Sequence, residues 1–468
     1  MLFHEFLQDK SVTLLGLGRS SVAAARLLKV RGAHPFVSDA GQGAALEPYA
    51  SQLEALGISY ELGGHGKAAL REAQMLVLSP GVPAGLPILE APRDAGTPII
   101  GELELASRLY TGTIFAITGT NGKTTTTRLL HHMIQTTGND VALAGNNETP
   151  FSEVVLSEAP PPYVVLEVSS YQLETTQAFH PHYAAVLNLT PDHLGRHGDF
   201  AGYAAVKKRL FLEQRPEDYA VLNLDDPVVR DMASATRAQV GYFSLAQPAA
   251  GGLWLRGDEI LDESTRIMAH VGDVPLPGRH NLANALAALC LVRASGLDWE
   301  KALAGLRNFG AVEHRIEPVV TINSVTFYND SKSTNIDSLR VALESFETPV
   351  TLIAGGEGKG SDYGVLTSLV QAKVAHLVTL GTDAPKLEAT FGKLISCERA
   401  GSMQEAIEKA YASGVTKDKQ QPAVVLLSPG CASFDMYLNF EARGEDFKAR
   451  VRDLARTVEN AGKEECKA

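Results

Sequence analysis

The chain has 468 residues, 45% of them hydrophobic and 21% charged, and a formal net charge of −12. At about 100–200 residues per domain this is an ordinary globular composition with room for three cores. The acidic balance argues against nucleic acid as a partner, because phosphate backbones attract basic surfaces. No apolar run reaches the roughly 20 residues that span a bilayer, and the N-terminus lacks a basic-then-apolar leader pattern, so no membrane insertion is expected. Cys290, Cys397, Cys431 and Cys466 are scattered without metal-type or redox-type pairing, which reads as reduced thiols in the cytoplasm.

Short apolar runs alternate with longer helix-patterned stretches, the pattern of α/β layers built on mainly parallel sheets. A strand at 11–15 runs into Gly16-Leu17-Gly18-Arg19-Ser20-Ser21 and a helix over 22–30. A second strand, 35–38, ends at Asp39, and a third, 75–78, ends at Ser79-Pro80-Gly81. These elements predict a Rossmann-like N-terminal domain over residues 1–103. Gly16-x-Gly18-x-x-Ser21 with Asp39 is close to a dinucleotide fingerprint whose third Gly is replaced by Ser. The loop suits NAD or another diphosphate, that of a nucleotide sugar included.

A central domain is expected over 104–311. Its strand at 114–117 feeds Thr118-Gly119-Thr120-Asn121-Gly122-Lys123-Thr124 and then a helix. Backbone N–H groups and a helix N-terminus attract phosphate oxygens. Lys123 is placed to reach the β- and γ-phosphates of ATP, and the Thr124 hydroxyl to bind Mg²⁺. Ile117 stands where the strict P-loop has its first Gly, so this is a shorter variant. Glu167 closes the strand at 163–166, where it can hold a hard cation or cap the Ser169-Ser170 turn. His193, in a loop after the strand at 184–187, is either a ligand or a solvated residue. Lys207 and Lys208 lie in a helical stretch, 203–212, and read locally as a solvated charged face. Gly278-Arg279-His280-Asn281 opens a further helix rich in alanine and leucine.

A Rossmann-like C-terminal domain is expected over 312–468. Strands at 325–328, 350–353 and 424–427 end at Asn329-Asp330-Ser331-Lys332, Gly355-Gly356-Glu357-Gly358-Lys359 and Ser428-Pro429-Gly430. The first two loops offer a cation with hydrogen-bond donors. They suit a phosphate or the carboxylates of an acidic amino acid, or are plain strand-end turns.

Together these loops resemble the Mur ligase family along the whole chain. The carrying runs are Gly119-Thr-Asn-Gly-Lys-Thr124, Leu166-Glu-Val-Ser-Ser-Tyr-Gln-Leu173, Asn188-Leu-Thr-Pro-Asp-His193, Gly278-Arg-His-Asn281, His314-Arg315, Asn329-Asp-Ser-Lys-Ser-Thr-Asn335, Gly355-Gly-Glu-Gly-Lys359 and Leu427-Ser-Pro-Gly-Cys-Ala-Ser433. The Asp330 and Ser428 runs point to the branch that adds D-glutamate. The resemblance implies an ATP-dependent ligase of peptidoglycan precursor synthesis. Its substrates would be UDP-N-acetylmuramoyl-L-alanine and D-glutamate, its cofactor Mg²⁺, two ions being expected, and its state a monomer.

The resemblance also implies residue roles. Gly119, Thr120, Asn121, Gly122, Lys123, Thr124 and Thr125 would bind ATP, with Asn281 and Asn284 near the base and Arg315, Asp330 and Lys332 clamping the nucleotide. Thr124, Glu167 and His193 would bind Mg²⁺, joined by Lys207 as a CO₂-derived carbamate. Lys123, His193 and Lys207 would form the catalytic set. Gly18, Arg19, Ser20, Asp39, Ser79, Gly81 and Asn146 would hold the UDP-substrate, and Lys332, Thr334, Lys359, Ser433 and Phe440 the D-glutamate. The chain departs from the family at Gly145-Asn146-Asn147-Glu148-Thr149-Pro150, where Gly-Asn-Ile-Gly-x-Pro is common. Glu148 in place of Gly is expected to bear on backbone geometry there.

Overall fold

The computed structural model describes residues 3–66, 70, 72–276, 278–310, 313–346, 348–358, 360, 362–415 and 422–465. Lys359 and Cys466 lie outside the described residues, as does the expected boundary at 311 and 312. The chain divides into two compact units, Met1–Pro275 with Asn281–Phe309, and Leu276–His280 with Gly310–Ala468.

The first unit holds two sheets. Strands β1 (Ser11–Leu15), β2 (His34–Asp39), β3 (Ser59–Leu62), β4 (Met75–Leu78) and β5 (Ile99–Gly101) form a parallel sheet in the order β3-β2-β1-β4-β5. Every side chain of β4 is buried, as expected for a parallel strand covered on both faces. The second sheet has nine strands. They are β6 (Thr113–Thr118), β7 (Val141–Gly145), β8 (Tyr163–Glu167), β9 (Tyr183–Val186), β10 (Tyr219–Asn223), β11 (Gln239–Ser244), β12 (Leu253–Arg256), β13 (Glu259–Asp262) and β14 (Ile267–His270). The order is β14-β13-β12-β11-β10-β9-β6-β8-β7, parallel except where β13 pairs antiparallel with β12 and β14.

The helix that follows β5 is anchored on segments of the second sheet. Helix Glu102–Ser107 buries two carboxylates. Glu102 accepts the Ser152 N–H at 2.7 Å, and burial pushes its pKa up. Glu104 accepts the Gln177 and Ala178 N–H groups at 3.0 and 2.8 Å and pairs with Arg108 at 2.6 Å. Buried carboxylates survive only with such partners, so Glu102 and Glu104, on either side of position 103, are tied to the second sheet's segments.

The second unit carries a six-stranded sheet of β15 (Glu317–Ile322), β16 (Val325–Asn329), β17 (Val350–Gly355), β18 (Val374–Leu380), β19 (Ser396–Arg399) and β20 (Ala423–Leu427). The order is β15-β16-β20-β17-β18-β19, with β15 antiparallel to β16 and the rest parallel. Within each sheet the sequence motifs follow strands where the order reverses. Gly16 follows β1, which lies between β2 and β4, and the phosphate loop follows β6, which lies between β8 and β9. Such switch points are where open α/β sheets bind ligands.

Candidate active site

In the first unit the loop after β6 is closed by glycine. Gly122 has φ +84° and precedes helix Lys123–Thr136, and an added Cβ there would lie 2.3 Å from Asn284 Oδ1. A left-handed backbone and no room leave glycine as the residue that fits. Asn284 and Asn281 are buried neighbours on helix Arg279–Ser295, the Asn284 amide donating to Asn281 Oδ1 at 3.3 Å. This places Asn284 against the start of the phosphate-loop helix. Thr125 is buried in the first turn of that helix.

The loop after β9 is laced to the phosphate loop. Asn188 accepts the Asn121 N–H at 2.8 Å and donates to Asn121 O at 3.1 Å. The Thr190 N–H donates to Thr120 Oγ1 at 3.0 Å, and Thr120 N–H to Asn188 O at 2.9 Å. Asn188 was legible only as part of a motif, with no role of its own.

Lys123 Nζ donates to the carbonyls of Gly119 and Thr120 at 2.9 and 2.8 Å. Thr124 donates its hydroxyl to Glu167 Oε2 at 2.7 Å. Glu167 is fully buried, and its Oε1 accepts the side-chain amides of Asn146 and Asn147 at 3.0 and 3.1 Å. The cap of the following short helix is Ser169, in a capping box with Gln172, so Glu167 does not serve as that cap. His193 has φ +52°, accepts or donates to the Tyr171 hydroxyl through Nδ1 at 3.0 Å, and has Nε2 3.5 Å from Asp192.

Lys207 departs from the local reading of a solvated face. It is 1% exposed, at the end of helix Phe200–Lys208, because that helix packs toward the phosphate loop. Its Nζ donates to Thr118 Oγ1 and Gly119 O, each at 3.0 Å, and lies 5.0 Å from the Tyr203 ring centroid. Burial first, then the nearby Lys123 charge, push its pKa well below the usual lysine value.

The loop after β1 is similarly tight. Gly16 has φ +89°, and a Cβ there would meet Ser79 Cβ and Val82 Cγ2 at 2.8 Å. Ser21, in the third-glycine position, donates its hydroxyl to Gly16 O at 2.5 Å. Both Asp39 oxygens accept backbone N–H groups, from Leu17 at 2.5 Å and Gly41 at 2.6 Å, so the carboxylate shapes the loop. Gly18 stands over open space and Ser20 is half-buried beside it. Gly81 O accepts Arg196 Nη1 at 3.2 Å, tying the Ser79 turn to the central sheet.

Glu148, where glycine is common in the family, does not take a left-handed conformation. Its side chain pairs with Arg128 at 2.7 Å, and its carbonyl accepts Arg19 Nη2 at 2.6 Å.

In the second unit the loop after β16 is buried. Asp330 accepts the Ser428 hydroxyl at 2.8 Å and the Ile316 N–H at 3.3 Å. Burial pushes its carboxyl pKa up to about 7, against the opposing pull of Ser428 and Arg315. Lys332 Nζ lies 5.3 Å from the Phe440 ring centroid, within cation–π range. Thr334 is half-buried, and Ser433 is buried in a turn whose carbonyl accepts the Tyr437 N–H at 2.8 Å. Arg443, missed in the sequence, is buried and fans onto Ser331 O, Cys431 O and Ala432 O at 2.8, 3.1 and 3.2 Å. It joins two strand-end loops. A lone arginine inside a helix gives no local signal of such a role.

Three domains, each with its motif loop at a strand's carboxyl end, define a multidomain nucleotide-dependent ligase, and the comparisons give the family. Residues 10–101 match the Mur ligase MurD-like N-terminal domain, 117–292 the Mur ligase middle domain, and 314–431 the Mur ligase glutamate ligase domain. The chain belongs to the Mur ligase family. It is 41% identical to a UDP-N-acetylmuramoylalanine–D-glutamate ligase of Koribacter versatilis, over 96% of this chain and 98% of that one. It is 40% identical to the enzyme of that name from Caldanaerobacter subterraneus, over 96% and 100% of the two chains. Among solved structures, UDP-N-acetylmuramate-alanine ligase of Thermotoga maritima aligns with a TM-score of 0.61 at 18% identity, over 95% of this chain and all of that one. The fold is thus the three-domain Mur ligase fold, α/β with mainly parallel sheets. Among the described residues no helix is long and apolar enough to cross a membrane.

Proposed function

We propose that this chain is the ATP-dependent ligase that joins D-glutamate to UDP-N-acetylmuramoyl-L-alanine in peptidoglycan precursor synthesis, acting as a cytoplasmic monomer. The observation that carries the reading is near-full-length similarity, about 40%, to several ligases with this substrate pair in their names, extending through the third domain. Its domains run over 1–103, 104–311 and 312–468.

An alanyl carboxylate cannot be aminated directly, because oxide is no leaving group. One carboxylate oxygen attacks the γ-phosphorus of ATP, the bond to the bridging oxygen breaks, and ADP leaves. The D-glutamate amine then attacks the acyl phosphate carbon, loses a proton, and phosphate departs as the amide forms. This is chiefly positioning and electrostatics. Lys123 and the backbone N–H groups of Gly119 to Thr125 hold the phosphates, Asn281 and Asn284 lie near the base, and Arg315, Asp330 and Lys332 add nucleotide contacts. Gly18, Arg19, Ser20, Asp39, Ser79 and Gly81 hold the UDP end, and Asn146 the muramoyl end. Lys332, Thr334, Lys359, Ser433 and Phe440 hold D-glutamate.

The donor set fits a hard cation. A buried carboxylate, Glu167, and a hydroxyl, Thr124, lie 2.7 Å apart, and oxygen ligands suit Mg²⁺. His193 and Lys207, the latter as a carbamate, complete the holding residues. When bound, Mg²⁺ offsets charge on the transferring phosphoryl group. The depressed Lys207 pKa favours the neutral amine, which is the form that adds CO₂.

The test is ADP release with UDP-N-acetylmuramoyl-L-alanine and a panel of D- and L-amino acids. Turnover with D-glutamate alone is expected. Turnover with L-glutamate and none with D-glutamate would overturn the reading.

A further inference from the structure

The turn at 145–150 is where the chain departs from its family, and its two replaced side chains are both engaged. Gly145 makes the turn possible. Its φ is +107°, and a Cβ there would sit 2.2 Å from Glu167 O. The turn closes through Gly145 N–H to Thr149 O at 2.9 Å and is stitched to β8 by Asn146 N–H to Glu167 O at 2.8 Å. Asn147, where the family commonly has isoleucine, donates its amide to Glu167 Oε1 at 3.1 Å. Glu148, where glycine is common, pairs with Arg128 on helix Lys123–Thr136, the helix that also carries Thr124.

We propose that Asn147 is a positioning residue for the Glu167 carboxylate, held in place by the Glu148–Arg128 pair. The inference rests on the reading of Glu167 as a metal ligand. Glu167 has two oxygens with distinct duties. Oε1 takes two amide donors, from Asn146 and Asn147, while Oε2 faces the Thr124 hydroxyl. Two donors on one oxygen fix the carboxylate plane more firmly than one, and they stabilise its charge where water is excluded. Isoleucine at 147 offers no donor, so a chain with that residue lacks one of the two amides on Glu167 Oε1. Partners that orient a metal ligand typically matter by about 10–100-fold in metal affinity. Asn147 is itself exposed, so the lower end of that range, about ten-fold, is the expected effect.

The experiment compares wild type, Asn147→Ile, Asn147→Gln and Glu148→Gln. Mn²⁺ binding to the full chain is followed by the loss of free-ion electron paramagnetic resonance signal. Ligation is followed as a function of Mg²⁺ and, separately, of D-glutamate. Asn147→Ile is expected to weaken Mn²⁺ binding about ten-fold and to raise the Mg²⁺ needed for half-maximal rate, with KM for D-glutamate within two-fold. Asn147→Gln, which keeps the amide, should recover most of the affinity, and Glu148→Gln should lose two- to five-fold. Wild-type Mn²⁺ affinity in Asn147→Ile overturns the proposal, as does equal loss in the isoleucine and glutamine variants. Asn147→Leu carries the same comparison if the isoleucine variant does not fold. Because Mn²⁺ binding is read without substrates, failure of the wild type to use D-glutamate would refute the proposed substrate while leaving this test intact.

Discussion

Asp330 gives a pH dependence of stability whose sign and size follow from its burial. Its carboxyl is raised from 3.8 to about 7, so between those values the folded chain holds a proton that the unfolded chain has released. Stability from this group is therefore fully present below pH 3.8 and is lost as pH rises through about 7. At about 1.4 kcal/mol per pKa unit, the part lost between pH 5.5 and 8.5 comes to roughly 2 kcal/mol. Asp330→Asn removes the titration while keeping one oxygen to accept the Ile316 N–H and placing an amide N–H that donates to the Ser428 hydroxyl oxygen. Urea unfolding, followed by a signal from the second unit at several pH values, measures the difference. The wild type should lose roughly 2 kcal/mol relative to Asp330→Asn across that interval. Parallel pH profiles would refute the reasoning. So would a wild type that gains stability relative to the variant as pH rises, since that is the behaviour of a carboxylate stabilised in its charged form.

Two further outcomes concern the phosphate loop. Gly122→Ala places a Cβ 2.3 Å from Asn284 Oδ1 on a backbone with φ +84°; it should cost about 1–2 kcal/mol in left-handed strain alone and raise KM for ATP, measured by ADP release, whereas Gly138→Ala, with nothing near its Cβ, should leave KM for ATP unchanged. Lys207→Met keeps the buried aliphatic stem and removes the amine; ligation should fall roughly 10–100-fold, and in the wild type alone activity should drop on stripping CO₂ from the buffer and return with bicarbonate.

The parallel strands and their loops were legible because each is a local event: an apolar run that ends at Gly, Ser or Asp. Strand β4 was read at its observed bounds, residues 75–78. The β12–β14 hairpins escaped although Arg256-Gly257-Asp258-Glu259 is a recognisable two-residue turn, since Leu253–Arg256 alternates too briefly to stand out. Lys207 was unreadable for a different reason. Adjacent lysines on a helix read as solvent-facing, and only the non-local packing of that helix on the phosphate loop buries one of them. Asn188, Asn147 and Arg443 share this limit, since each acts on backbone or side chains far away in sequence.

The electrostatics around Gly119 bear on what the loop can carry. Lys123 Nζ and Lys207 Nζ both donate to the Gly119 carbonyl, at 2.9 and 3.0 Å. Two atoms bonded to one oxygen at those distances are at most about 6 Å apart, so two ammonium ions there would repel by roughly 3 kcal/mol at an effective dielectric near 20. Burial, and then the Lys123 charge, push the more deeply buried amine toward its neutral form. A neutral Lys207 would leave the positive charge on that carbonyl to Lys123, whose Nζ also donates to Thr120 O. Conversion of that amine to a carbamate would turn the residual repulsion into attraction and place a second anion near Glu167, whose own charge already favours a cation. Lysine at 207 thus has a use that arginine would not serve, because a guanidinium stays charged and would keep two cations on one carbonyl.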